Sequence, residues 1–275
     1  MKKILVPIDF SAPSEYAAKM AAKIAKKTNA TVYLIHLIEL PSGVMDVTSG
    51  SSFSIPDSML YLRKTREKIL KFKKCFFSDA IRVEYFIKLN NPFEGIKKCA
   101  TKINADLIIM GSKGHSKFEE ILVGSNTEKM VRTSKTPVIV VKRDDENFKL
   151  DTLVFASNFK KENSEVFGKF LKFANAFNSK IYLLKINTPA QFEVTSDAKQ
   201  KIIDFVEEHK ITNYTIAIYN DTSVEKGIIN FLKEKKADLI ALSTHGRSGL
   251  SHLFTGSVAK NLSKKGLIPM FTVKV

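Results

Sequence analysis

The chain has 275 residues, 44% of them hydrophobic, and a formal net charge of +16 at pH 7. This length fits one large or two ordinary domains, and no apolar run reaches the roughly 18 residues that a membrane-spanning helix needs. The two cysteines, Cys75 and Cys99, have no CxxC spacing, so neither a zinc site nor a disulfide framework is predicted. We therefore expect a cytoplasmic protein with reduced thiols and no membrane partner.

The strands and helices of the first half alternate along the chain. Its predicted strands are Lys3–Ile8, Thr31–Ile38, Arg82–Lys88, Ala105–Met110 and Val138–Lys142. Its predicted helices are Pro13–Lys27, Asp57–Lys74, Pro92–Ile103 and Ser125–Thr133, with Ser11 as a plausible cap and Pro41–Pro56 as a loop rich in Ser, Gly and Pro. Such alternation predicts a parallel sheet with helices on both faces.

The positive charge is spread along these helices. The lysines of the first helix, for example, recur at helical spacing: Lys19, Lys23, Lys26 and Lys27. Basic residues in such a pattern usually form a solvated helix face, and no aromatic residues are interleaved with them as in known nucleic-acid motifs. We therefore do not expect nucleic-acid binding, although the charge favours small anionic ligands.

The second half repeats the first. TVYLIHLIE at Thr31–Glu39 is echoed by KIYLLKINT at Lys180–Thr188, and ADLIIMG at Ala105–Gly111 is echoed by ADLIALS at Ala237–Ser243. An internal repeat of this length predicts two copies of one domain. We place them at residues 1–143 and 151–275, joined by a linker at 144–150.

A glycine pattern follows the fourth predicted strand of each half. The first copy, G-x2-G-x9-G-S, consists of Gly111, Gly114, Gly124 and Ser125, and the second has Ser243, Gly246, Gly256 and Ser257 at the same spacing. Glycine lets the backbone approach a phosphate closely, and the helix that follows directs its first N–H groups toward an anion. The pattern predicts a phosphate site in each half, while turn formation alone is the alternative explanation of the glycines.

With these motifs in place, the chain resembles a tandem universal stress protein over essentially its whole length. The motifs that carry the resemblance are ILVPIDFS, NPFEGI, ADLIIMGSKG and GSNTEKMVRTSKTPVIVV in the first half, and VFASNF, ADLIALSTHGRSGL and GSVAKNLSKKGLIPMFTV in the second. The resemblance implies two Rossmann-like or flavodoxin-like α/β domains, each with a five-stranded parallel sheet. It also implies an intramolecular pseudo-dimer through the last strands, Val138–Lys142 and Met270–Lys274, with a further homodimer as an open question.

The family includes members that bind ATP and members that bind no nucleotide, and the complete glycine pattern goes with binding. By similarity, Asp9 would lie beside the adenosine and Leu37 would pack on the adenine. The alternative interpretation of Asp9 is a helix-capping residue. The remaining residues expected around the ribose and phosphates are Met110, Gly111, Gly114, Gly124 and Ser125. ATP is the expected ligand, with Mg²⁺ carried only through its phosphates.

The second copy departs from this pattern, since Asn158 replaces the acid and Ser243 replaces the first glycine. We therefore expect the first domain to bind nucleotide and the second to bind weakly or not at all. Arg247 would either reach a phosphate or be a solvated loop residue. The weaker second site would consist of Asn158, Gly246, Arg247, Gly256 and Ser257.

The leading functional hypothesis is a regulatory ATP-binding stress protein with no dedicated catalytic activity. One alternative is a slow ATPase, although the chain lacks the GxxxxGK[ST] motif and an identifiable histidine–carboxylate pair. The other is a nucleotide-free scaffold that acts by dimerisation. The histidines have no partners at metal-ligand spacing, and His36 is expected to pack at a strand end, so no structural metal is predicted.

Overall fold

The computed structural model describes residues 1–39, 55–112, 124–144, 148–244 and 268–275. The strands of these ranges are β1 Lys3–Pro7, β2 Thr31–Ile38, β3 Val83–Leu89, β4 Leu107–Gly111, β5 Val138–Val141, β6 Thr152–Ala156, β7 Lys180–Asn187, β8 Tyr214–Asn220, β9 Leu239–Thr244 and β10 Met270–Lys274. The helices are α1 Ala12–Thr28, α2 Ile55–Phe76, α3 Pro92–Ile103, α4 Ser125–Thr133, α5 Ser164–Asn175, α6 Thr195–Glu207 and α7 Val224–Glu234. The predicted α/β fold with a mostly parallel sheet is confirmed.

The described strands form one sheet in the order β3-β2-β1-β4-β5-β10-β9-β6-β7-β8. Within each half all neighbours are parallel, and the two halves meet where β5 and β10 pair antiparallel, with Phe271 opposite Ile139. All four residues of β5 are buried. An apolar strand of this kind would be an exposed edge if it stood alone, and the pairing gives it a hydrogen-bonded neighbour on that side.

Side chains alternate between the two faces of the sheet. Ile4 and Val6 of β1 point into a core shared with α1, α2, α5 and α6, whereas Leu5 points into the opposite core, shared with α3, α4 and α7. This alternation is the period of two that strands impose on their side chains, and burial on both faces explains the continuous apolar runs in the sequence.

The helix ends follow local signals in the sequence. Helix α3 begins at Pro92 because the side chain of Asn91 accepts hydrogen bonds from the N–H groups of Phe93 and Glu94, at 3.1 and 3.4 Å. Helix α2 begins at Ile55, two residues before the predicted start, and so takes in Pro56, a residue that a first helical turn accommodates. The rest of the predicted loop Pro41–Pro56 lies almost wholly outside the described residues. In the part of the chain that the structure describes, no helix is long and apolar enough to cross a membrane.

Candidate functional site

A cavity opens at the carboxyl ends of β1, β2 and β4, where the chain order of the sheet reverses. In open α/β sheets ligands bind at this switch point. The cavity has a volume of about 440 Å³, within the range of about 300–1,000 Å³ that small-molecule sites have. Six residues predicted from the sequence line it: Asp9, Leu37, Met110, Gly111, Gly124 and Ser125. Gly114 lies outside the described residues.

Asp9 stands in a tight turn between β1 and α1. Its Oδ1 accepts hydrogen bonds from both the backbone N–H, at 3.0 Å, and the hydroxyl of Ser11. Ser11 occupies the cap position of α1, as predicted, but its side chain makes no capping hydrogen bond, because its hydroxyl is turned back to Asp9 instead. The turn thus fixes the orientation of the carboxylate at the cavity wall.

An aromatic residue in a left-handed conformation makes this turn. Phe10 has φ 64°, and Phe159, at the matching place in the second half, has φ 55°. Such a conformation is unfavourable for a bulky residue and persists only where the surroundings enforce it. The ring of Phe10 packs 4.8 Å from the ring of His36, whose Nδ1 donates to the Ile8 carbonyl at 2.8 Å. His36 therefore packs at a strand end, as predicted, and supports the turn that carries Asp9.

Leu37 forms part of the apolar wall and is pressed against helix α3. A Cβ placed on Gly95 would lie 2.3 Å from Leu37 Cδ2 and 3.0 Å from Cδ1. The absence of a side chain at Gly95 therefore makes room for the leucine between the helix and the cavity. Ile35, Ile96 and Met110 continue the same wall.

Gly111 has a structural role in addition to its place in the cavity. A Cβ at this position would lie 2.5 Å from the carbonyl carbon and 2.6 Å from the carbonyl oxygen of Pro13. The glycine lets the first turn of α1 pack directly on the end of β4. The sequence interpretation, which attributed this glycine to close approach of a ligand, missed that contact.

Helix α4 presents its N-terminus to the cavity. Gly124 occupies the cap position and has no side chain, and Ser125 is the exposed first helical residue. The N–H groups of a first helical turn have no acceptor within the helix and carry a partial positive charge. The Thr127 hydroxyl donates to the Gly111 carbonyl at 2.9 Å and so ties the helix start to β4.

Further lining residues were not assigned to the site from the sequence. They are Ser14, Glu39, Pro92, Ile96, Asn126 and Thr127. Pro92 was recognised only as a helix start, and Glu39 as the residue after the second strand. The parallel arrangement, which brings every strand end and helix start to one edge, is the signal that would have included them.

The second half keeps the turn but changes its chemistry. Asn158 Oδ1 accepts from the N–H of Lys160 at 3.2 Å, as Asp9 accepts from Ser11. A short 3₁₀ turn, Lys161–Asn163, precedes α5, whereas α1 starts directly at Ala12. The predicted second-site residues Gly246, Arg247, Gly256 and Ser257 lie outside the described residues.

The titratable groups at this edge include one strongly perturbed lysine. Lys142 follows β5, whose Val141 pairs with Gly111. Burial lowers the pKa of the Lys142 ammonium from 10.5 to about 8. Among the residues that the structure describes, no cluster of three His, Cys, Asp or Glu side chains could hold a metal ion.

The depressed pKa of Lys142 predicts a rise in stability with pH. Between about pH 8 and 10.5 the unfolded chain binds more protons at this residue than the folded chain, so the free energy of unfolding should increase over that window. Lys142→Met should stabilise the protein at pH 7 by roughly 1–3 kcal/mol, after allowance for partial solvation. Urea unfolding at pH 7, 8.5 and 10 measures this. Equal stabilisation at all three values would contradict the assignment.

Comparisons with known proteins agree with the internal repeat. The family model described as "Universal stress protein family" matches residues 1–142 and again 150–274. Two universal stress proteins of Methanocaldococcus jannaschii are 35% identical over 142 residues and 33% identical over 154 residues. Each alignment covers 52% of this chain, and they cover 82% and 95% of the respective relatives.

A solved structure has the same arrangement over its full length. A universal stress protein from Archaeoglobus fulgidus is 21% identical and has a TM-score of 0.72, with 99% of this chain and 98% of the other covered. That likeness shows the fold, and the two family matches cover nearly the whole sequence. The chain therefore belongs to the universal stress protein family and carries two copies of its domain.

Proposed function

We propose that the first half binds ATP and that the chain is a regulatory nucleotide-binding protein with no dedicated catalytic activity. The observation that carries this proposal is the combination of three chemistries in one cavity. Leu37, Ile96 and Met110 form an apolar wall, Asp9 and Glu39 bring carboxylates, and α4 presents its N-terminus. A nucleotide carries the matching groups: a base with apolar faces, hydroxyl donors and phosphates.

Each part of the ligand has a counterpart in the site. The base would pack on Leu37, which helix α3 holds in place through the contact at Gly95. A carboxylate only accepts hydrogen bonds, and ribose hydroxyls or a base amine would donate to Asp9. The N–H groups at the start of α4 would bind a phosphate, and a divalent ion would arrive with the phosphates.

The catalytic alternative has little support in the described residues. Hydrolysis would need a base that activates water, and His36, which lies near this edge, packs its ring against Phe10 and is not among the described residues that line the cavity. Slow hydrolysis of a bound nucleotide would be incidental to regulation. A nucleotide-free scaffold remains the competing function, and it differs in predicting an empty cavity in solution.

Calorimetric titration of ATP, ADP and AMP into nucleotide-stripped protein tests the proposal. We expect saturable binding with one site per chain. Absence of binding for all three nucleotides, together with no thermal shift, would favour the scaffold. Turnover of ATP that is abolished by one side-chain replacement outside the glycines would favour an enzyme.

Gly95→Ala should weaken ATP binding about tenfold. The new Cβ would displace the methyl groups of Leu37, which lines the cavity where the base would lie. Alanine favours a helix over glycine by about 1 kcal/mol, which offsets part of the packing cost, so the fold should persist. Calorimetric titration of the variant, with its melting temperature, provides the measurement.

The matched control is Gly227→Ala in the second half. A Cβ there would lie 2.8 Å from Ile186 Cγ2, so the helix position and the contact are equivalent to those of Gly95. This variant should leave the affinity for ATP unchanged. A similar loss in both variants would show that the effect comes from global destabilisation and not from Leu37.

A further inference from the structure

The two halves match residue by residue at the first turn. Lys3 pairs with Thr31 in the first half and Thr152 pairs with Lys180 in the second, a constant offset of 149 positions. Asp9 therefore corresponds to Asn158, and Ser14 corresponds to Asn163. In the first half both of these positions line the cavity.

In the second half the same two positions are joined directly. Asn163 Nδ2 donates to Asn158 Oδ1 at 2.8 Å, and the N–H of Lys160 donates to the same oxygen at 3.2 Å. A backbone N–H is always a donor, so the acceptor atom of Asn158 is its oxygen, and the atom of Asn163 that faces it is the amide nitrogen. The orientation of both amides is thereby determined.

In the first half a different side chain donates to the acid. The Ser11 hydroxyl donates to Asp9, and the Ser14 hydroxyl donates to the Ser11 carbonyl at 2.8 Å. Lys160 stands at the position of Ser11 and has no hydroxyl to donate. Asn163 takes over this function from the position that lines the cavity in the first half, with a longer side chain than serine.

The side-chain amide of Asn163 donates one hydrogen bond, but its oxygen accepts none in the described part of the chain. The side chain is buried, with 1% of the residue exposed. A buried amide oxygen without a donor is unfavourable. The side chain therefore adds little to stability through this atom, and its replacement by serine should be tolerated.

We propose that Asn163 is the specificity-determining residue that closes the second half to nucleotide. The amide bridge between Asn163 and Asn158 joins two positions that both line the cavity in the first half. This inference rests on the proposed function, and it differs from a simple loss of the acidic charge. If charge alone mattered, an acid at position 158 would restore binding. If the bridge is the cause, an acid alone would not restore it, because the Asn163 amide would donate to a carboxylate as readily as to an amide oxygen.

The test copies first-half residues into the second half in two stages. The background variant carries Asn158→Asp, Lys160→Ser and Ser243→Gly, and the full variant adds Asn163→Ser. Calorimetric titration with ATP should give one site per chain for the wild type and for the background, and two sites for the full variant. Two sites in the background, or one site in the full variant, would overturn the role of Asn163.

The reciprocal change provides an independent readout. Ser14→Asn in the wild type should lower the affinity of the first half for ATP by at least about tenfold, with a melting temperature and circular dichroism spectrum close to those of the wild type. Unchanged affinity in a folded variant would overturn the proposal. A wild-type chain with two sites would refute this inference but leave the proposed function intact, whereas a chain with none would refute both.

Discussion

Gly111→Ala should destabilise the protein by about 3 kcal/mol, the upper part of the range for overpacked sites. The added methyl group would lie 2.5–2.6 Å from the carbonyl carbon, carbonyl oxygen and Cβ of Pro13. Backbone atoms cannot rotate away as a side-chain end can, so the first turn of α1 would have to move from β4. The shift in the midpoint of urea unfolding, at constant slope, measures the effect.

Ser243→Ala is the matched control for this prediction. Ser243 occupies the corresponding position in the second half and already carries a Cβ. In the second half the residue that corresponds to the start of α1 is Lys161. The helix α5 begins only at Ser164, after the 3₁₀ turn, so it starts later than α1 does. This variant should change stability by less than about 1 kcal/mol. A small effect of both replacements would mean that α1 adjusts without cost and that Gly111 serves only the cavity.

Much of the fold was predictable because its signals are local. Thr31–Ile38 and Ser125–Thr133 have the predicted bounds, since an apolar run and a glycine before a helix mark them in the sequence. The parallel sheet follows from the alternation of strands and helices, and a parallel sheet brings its strand ends to one edge. The family resemblance assigned seven residues scattered along the first half to one site, and the six of them that the structure describes all line the cavity at that edge.

The remaining features depend on contacts between distant parts of the chain. Neither the contact of Gly111 with Pro13 nor that of Gly95 with Leu37 has a sequence signature, because the partners are far apart in the chain. The left-handed Phe10 and Phe159 were missed because only glycine and asparagine commonly signal this conformation. The pairing of Asn158 with Asn163 requires the turn geometry, and Asn163 shows no motif.

Asp9→Asn should weaken nucleotide binding by about 10- to 100-fold, the loss expected when a charged acceptor becomes neutral. Stability should change little, because Asn158 makes the same turn with an amide, accepting from the N–H two residues ahead. Calorimetric titration together with thermal unfolding measures both quantities. Asn158→Asp is the matched control: while Asn163 remains, it should add no second site.

The ligand dependence of this loss identifies what Asp9 contacts. If the carboxylate binds the nucleoside, Asp9→Asn should weaken AMP, ADP and ATP by the same factor, because the part of the ligand that the three share is affected. If the acid instead acted near the phosphates, its removal would relieve repulsion and the variant would bind ATP better relative to AMP. A common factor would therefore support the proposed orientation, with the base against Leu37 and the phosphates at the start of α4. A loss of affinity that changes with the number of phosphates would indicate that the nucleotide lies in the opposite orientation within the cavity.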